Sequence, residues 1–193
     1  MEYTIKRDGG ELSTLEMKYR YHETQDNVAA RASIGYNDDA LIVHMELDAP
    51  EIRDVERGPL GHPCVDSCLE FFFSPMEGDI RYFNIEFNIG GCLCFCMGDG
   101  KGLTRFTIAK PEETLSFRSQ RTEKGFCIDY QVPYGIIRRF FPDFKVYSGK
   151  RMRANCYSCA ERTQVRHFLS WSLIDDKKFS FHRPECFGTM IFE

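Results

Sequence analysis

Between Tyr82 and Ile89 the chain alternates without a break: Phe83, Ile85, Phe87 and Ile89 take one parity, and Tyr82, Asn84, Glu86 and Asn88 take the other. Successive side chains on a strand point to opposite faces, so one face is apolar and the other carries a ring, two amides and a carboxylate. Flat rings cover the apolar faces of a pyranose, and fixed amide and carboxylate groups meet its hydroxyls. This face therefore holds the inventory of a saccharide-binding groove. The bland alternative is the ordinary wet side of an antiparallel sheet.

Glu70 repeats the pattern, sharing a face with Cys68 and Phe72 opposite the apolar Leu69, Phe71 and Phe73. A carboxylate that interrupts an apolar run is a candidate acceptor for sugar hydroxyls. Arg81 and Asn88 are candidate donors to ring and hydroxyl oxygens. Trp171 stands between Ser170 and Ser172, the setting of a half-exposed ring at a strand end. His182 and Arg183 lead a His-Arg-Pro-Glu run that either meets a ligand or closes the domain as an ion-paired loop. Glu70 and Glu86, on neighbouring strands and one face, would also satisfy a glycoside hydrolase, which needs two carboxylates about 5–10 Å apart.

Metal chemistry has weaker support. The nine cysteines include Cys92, Cys94 and Cys96 at alternating positions, a single CxxC at Cys156 and Cys159, and the wider pair Cys64 and Cys68. One CxxC followed by His167 falls short of four converging soft ligands. Reduced thiols packed as small hydrophobes are the expected state, which points to a cytosol-like compartment. Asp38, Asp39, Asp66, Asp99 and Asp129 are the oxygen donors from which a calcium site would have to be drawn. A haem-binding sandwich would need axial ligands such as Met97 or Met152 with His167 or His182, and no pattern selects such a pair.

The elements that must position these groups are short strands. Alternation and turn chemistry predict strands at Ala29–Tyr36, Leu41–Leu47, Cys68–Phe73, Tyr82–Ile89, Leu93–Met97 and Phe106–Ala109. Five more follow at Leu115–Arg118, Phe126–Val132, Arg151–Tyr157, Phe168–Trp171 and Thr189–Phe192. Asn37-Asp-Asp39, Ser74-Pro75, Gly90-Gly91, Gly98–Gly102 and Lys124-Gly125 supply the turns, and Tyr134–Phe140 has room for a short helix before Pro142. Many short strands with regular turns predict an all-β protein: one antiparallel β-sandwich domain, jelly-roll-like, over residues 1–193.

The chain of 193 residues carries a formal net charge of −4, which argues against nucleic acid or an anionic membrane surface as partner. No apolar run reaches the length of a membrane span. The first residues have neither an apolar signal core nor a small-residue cleavage site, so the chain is expected in the cytoplasm, or in the periplasm or outside the cell if a leader was removed.

Three segments taken together resemble the family 9 carbohydrate-binding modules. Val65-Asp-Ser-Cys-Leu-Glu-Phe-Phe-Phe-Ser-Pro75 is similar to a Asp-Ser-led strand of that family, and Arg81–Gly91 to a following strand rich in Tyr, Asn, Phe and Glu. The third match runs through Asn155–Glu161, His167–Trp171 and Phe181–Gly188, in the same order and near the same spacing. The resemblance implies a jelly-roll-like sandwich that binds an oligosaccharide or polysaccharide without catalysis, associated in some members with xylan- or cellulose-degrading enzymes and sometimes carrying structural calcium. It also implies a terminal sugar held between two tryptophan rings. Trp171 takes the place of one ring. The second ring's place falls within Pro63-Cys64-Val65, where no aromatic stands, so Tyr82 or Phe72 must substitute or the sandwiching mode is lost. Without sugar binding, an interaction module within a larger assembly is the remaining expectation.

Overall fold

The structure is a computed structural model that describes residues 1–58, 61–101, 105–108, 110–175 and 179–193. Gly102 and Ala109, at the ends of an expected turn and an expected strand, lie outside the described residues. The strands in chain order are β1 (Glu2–Arg7), β2 (Thr14–Glu16), β3 (Tyr19–Arg20), β4 (Ala29–Tyr36), β5 (Ala40–Asp48), β6 (Cys68–Ser74) and β7 (Tyr82–Asn88). They continue as β8 (Leu93–Gly98), β9 (Arg105–Thr107), β10 (Phe117–Arg121), β11 (Gly125–Pro133), β12 (Arg151–Ala160), β13 (His167–Ser170) and β14 (Gly188–Phe192). Two short helices, α1 (Pro111–Thr114) and α2 (Tyr134–Phe140), lie among them. No helix among the described residues is long and apolar enough to cross a membrane.

The expected sandwich forms, but its two leaves are one curled sheet. Strand order runs β10-β11-β5-β4-β1-β14-β12-β6-β7-β8-β9, with β2 beside β4 and with β13 and β3 beyond β12. The hinge is β1, whose Glu2–Ile5 pair with β14 in one leaf while Lys6 and Arg7 pair with β4 in the other. Both β1 pairings are parallel, an exception to the antiparallel expectation. None of β1, β2 and β3 is among the predicted strands: β2 and β3 span only three and two residues, whereas Tyr3 and Ile5 of β1 do alternate with exposed neighbours. The strand predicted at Leu115–Arg118 begins at Phe117, because Leu115 turns into the core instead.

Phe71, Phe73, Phe83, Ile85 and Phe95 from one leaf meet Ile34, Val43, Leu47, Ile128 and Val132 from the other. Each such side chain contributes roughly 1.5–3 kcal/mol by leaving water, so this layer drives closure of the sandwich. The outer face of the β12-β6-β7-β8 leaf is also covered. A second cluster of Tyr21, Phe72, Tyr82, Tyr157, Phe168 and Phe187 packs there, with Phe179 and Phe181 against it. Every residue of β6 and β7 is consequently buried, on both faces. The polar face of Tyr82–Asn88 is therefore not the wet side of a sheet.

Candidate functional site

Register converts that face into rows of facing side chains. One row reads Ser170, Tyr157, Glu70, Glu86 and Cys94 across β13, β12, β6, β7 and β8. Its neighbours read Asn155, Phe72, Asn84, Cys96 and Thr107, and Phe168, Cys159, Cys68 and Asn88. Paired residues in an antiparallel ladder stand about 4.5–5.5 Å apart, so each row is a line of touching groups.

Over this face opens a groove of about 850 Å³, of the size that receives small molecules. Its floor includes Glu70, Glu86, Cys94, Cys96 and Cys159, its aromatic wall Phe168, Phe179, Phe181 and His182, and its rim Glu161 and Arg166. Phe181 is positioned by stacking on Tyr157 at 4.2 Å between centroids and 10° between planes. His182 is tilted over Phe72 at 5.1 Å and shares a 2.8 Å hydrogen bond between its Nδ1 and the Tyr82 hydroxyl. Edge-on contacts of His22 with Phe168 and Phe179, at 5.2 and 4.3 Å, complete the wall. His22 and the next residue, Glu23, hold left-handed backbone at φ of 51° and 60° to present that ring.

The two carboxylates differ in their partners. Glu86 accepts a 2.6 Å hydrogen bond from Asn84 Nδ2, and Asn84 Oδ1 has no hydrogen-bond partner among the described residues. Glu70 accepts a 3.0 Å bond from the Cys159 thiol. Burial, and then the charge of Glu86, push the Glu70 carboxyl well above the usual range and toward its protonated form. A protonated carboxyl both donates and accepts, which suits a hydroxyl ligand. Burial likewise pushes the Cys64 thiol up to about 12, so it is uncharged at the groove mouth.

Of the residues expected from sequence, Glu70, Glu86 and His182 meet in the groove, with Asn84 and Tyr82 directly supporting two of them. The other four expected residues lie outside the groove. Trp171 is 3% exposed and lies in the core between the leaves, edge-on to Tyr3 at 6.4 Å. Parity explains this: Phe168 and Ser170 face the groove through their partners Cys159 and Tyr157, so Leu169 and Trp171 face inward. The indole fills the space where a side chain at Gly188 would begin, with ring carbons 2.6 and 2.8 Å from that point.

Asn88 is a structural clamp. Its Nδ2 donates to Glu56 O at 3.0 Å and to Asp66 at 2.8 Å, and its Oδ1 accepts from the Cys92 amide. Arg81 sits at the sheet end, forked onto Asp79 and over the Phe141 ring at 4.6 Å, away from the groove. Arg183 donates to Glu185 at 2.9 Å and to Asp175 O at 3.0 Å and does not line the groove.

The calcium donors do not converge. Asp66 is occupied by N–H donors from Arg53, Val55, Glu56 and Asn88, Asp38 pairs with Arg7, Asp99 caps Lys101 N, and Asp129 pairs with His44. These aspartates do not fit a cage of six to eight oxygens. Cys156 faces the core and Cys159 the groove, so the CxxC cannot act as one ligand pair. Met97 and Met152 belong to the inter-leaf core, while His182 lies on the outer face, which separates either methionine from His182; His167 shares its Nε2 with Ser158 Oγ at 3.0 Å.

Sequence reasoning missed Phe179 and Phe181. They lie on an irregular segment where no periodicity assigns a face, and only their place before His182 could have drawn notice.

Three comparisons bear on this geometry. The solved structure of a candidate carbohydrate-binding protein from Bacteroides uniformis superposes with a TM-score of 0.85 at 25% identity, covering 100% of this chain and 99% of that one. Family 9 carbohydrate-binding modules from Caldicellulosiruptor kristjanssonii, solved with glucose and with cellotriose, share the fold at TM-scores of 0.72 and 11% identity. All of this chain is covered in both, with 96% and 94% of those chains. No curated protein sequence matches. The model of carbohydrate-binding family 9 matches residues 16–192, and with nearly the whole chain inside that match, the chain belongs to carbohydrate-binding family 9.

Proposed function

We propose that this chain binds the end of a glucose- or xylose-containing oligosaccharide, without cleaving it, in the groove over β6, β7 and β8. The observation that carries this is the juxtaposition, in one 850 Å³ groove, of two carboxyls on the floor with half-buried rings on the wall. Phe181 and Phe179 supply flat apolar surface in place of the missing tryptophans. Glu86, held by Asn84, accepts from sugar hydroxyls, and a protonated Glu70 exchanges hydrogen bonds in both directions. Phe181 is held rigid by Tyr157, so little side-chain entropy is lost when a sugar ring docks on it. The complexes of the structural neighbours with glucose and cellotriose support this substrate class.

Calorimetric titration with glucose, cellotriose and xylo-oligosaccharides tests the reading. Saturable binding is expected for the native chain, weakened tenfold or more by Phe181→Ala, a loss of about 1.4 kcal/mol or above. Absence of binding across the panel overturns it.

A further inference from the structure

Beneath the groove, Cys68 and Cys159 are register partners on β6 and β12, and Glu70 stands two residues along β6 on the same face. A sulfur of each cysteine and a carboxyl oxygen of Glu70 all lie within 4.8 Å of one another, and all three residues are buried. Saccharide recognition explains Glu70, but it gives no use to two thiols converging on it. We infer that Cys68, Glu70 and Cys159 form a site for a zinc ion whose fourth position opens into the groove.

Three arguments lead there. Zinc takes sulfur at about 2.3 Å and carboxylate oxygen at about 2.0–2.2 Å in a tetrahedron, which asks its donors to stand roughly 3.5–3.8 Å apart. A triad already within 4.8 Å reaches this by small side-chain rotations. Cys159 Sγ and Glu70 Oε1 already stand 3.0 Å apart through the thiol's hydrogen bond, and an ion replacing that proton would lie between them.

Donor chemistry selects the ion. Two soft sulfurs with one carboxylate suit zinc and exclude calcium and magnesium, which require oxygen shells. The set has three protein ligands rather than four, the pattern of zinc sites that keep a position for water or an incoming ligand.

Access is the third argument. Glu70 and Cys159 line the groove, so an ion enters from solvent and its open position faces the space where a hydroxyl ligand would sit. Loading balances by proton release: the two S–H bonds break, two protons leave to solvent, and the thiolates bind the dication, with a third proton leaving if Glu70 is protonated. Three anionic donors around a dication leave a net charge of one, smaller than in an all-thiolate zinc site. The proposal does not rest on sugar binding.

Cobalt(II) is the probe, because thiolate ligation gives it a sulfur-to-metal charge-transfer band and tetrahedral geometry gives it intense visible bands. The full chain, fully reduced and freed of metal by chelator, is titrated with cobalt(II) and then with zinc(II). One equivalent of cobalt should bind with both spectral signatures, and zinc should displace it. Cys159→Ser and Glu70→Gln, checked as folded by circular dichroism, should lose the site or weaken it at least tenfold. The double variant Cys94→Ser/Cys96→Ser, which removes the neighbouring thiol pair 3.4 Å apart, should keep it. No saturable band in the reduced native chain overturns the proposal, as does a band that survives Cys159→Ser or disappears with Cys94 and Cys96. Should Cys159→Ser fail to fold, the Glu70→Gln and double-variant titrations still decide, because neither removes a thiol of the triad.

Discussion

Glu70 and Glu86 face each other directly across β6 and β7, two carboxyls sealed at 2% and 5% exposure. Like charges at this spacing in a poorly hydrated site cannot both ionise cheaply, so the proton settles on Glu70.

A pH signature follows from that proton. The folded state holds Glu70 above its unfolded value, so its stabilising contribution is complete in acid and is lost as pH rises through the folded value. Glu70→Gln imitates the protonated acid. In the metal-free protein its melting temperature should match the native chain in acid and exceed it in alkali, by about 2–4 °C per kcal/mol relieved. Thermal melts across pH check this, and a difference that stays constant with pH contradicts it.

His167 works in the opposite sense. It is buried, with Nε2 3.0 Å from Ser158 Oγ, and burial lowers its value from 6.5 to about 4. The folded state therefore prefers the neutral ring. Stability from this residue is present above the unfolded value and drains away as pH falls from 6.5 toward 4, an effect of up to roughly 3 kcal/mol. Urea midpoints measured across that window should fall in the native chain, and more shallowly in His167→Gln. Equal slopes would show that another group carries the acid sensitivity.

Trp171 reports on the core. Its emission should be blue-shifted, resist acrylamide and show little added protection when sugar binds, since the indole packs on Tyr3 and Gly188. Trp171→Ala should cost about 3–5 kcal/mol by opening a cavity. Red-shifted, readily quenched emission would place the ring at the surface and contradict the packing.

Asp66 is wholly buried, and its charge is satisfied by Arg53, two backbone amides and Asn88. Those bonds tie residues 53–56 to the ends of β6 and β7. Asp66→Ala should destabilise by about 3–5 kcal/mol, because it leaves several N–H groups and the partly buried Arg53 guanidinium unanswered. Denaturant unfolding measures it, and a loss under about 1 kcal/mol would mean the loop is held by other contacts.

How far these residues could be read from sequence depends on what fixes each side chain. Parity assigns Glu70, Asn84 and Glu86 to one face because the strand period is two, and no partner need be known. The serine neighbours of Trp171 and the family resemblance point to a half-exposed ring, whereas its direction depends on the register of β13 on β12 and on a glycine at position 188. Arg81 and Asn88 have the right chemistry for sugars, but Asp79 and Asp66 claim them first, and those pairings are set by turns rather than by period. Phe179 and Phe181 follow no alternation at all; they take their direction from Tyr21, His22 and Tyr157, which come from distant parts of the chain. The central strands were legible and the groove wall was not, because a wall built by loops is a tertiary product.

Sugar is expected in the groove between the carboxyl row and the Phe179–Phe181 wall. Amide chemical shifts followed during titration with cellotriose test it most directly. Saturable shifts are expected to concentrate at Glu86, Cys94, Cys96, Phe168, Phe181 and His182, with affinity reduced at least tenfold by Glu86→Gln and with Arg81 and Trp171 little moved. Shifts centred on Trp171 or Arg81, or an affinity indifferent to Glu86→Gln, would contradict it.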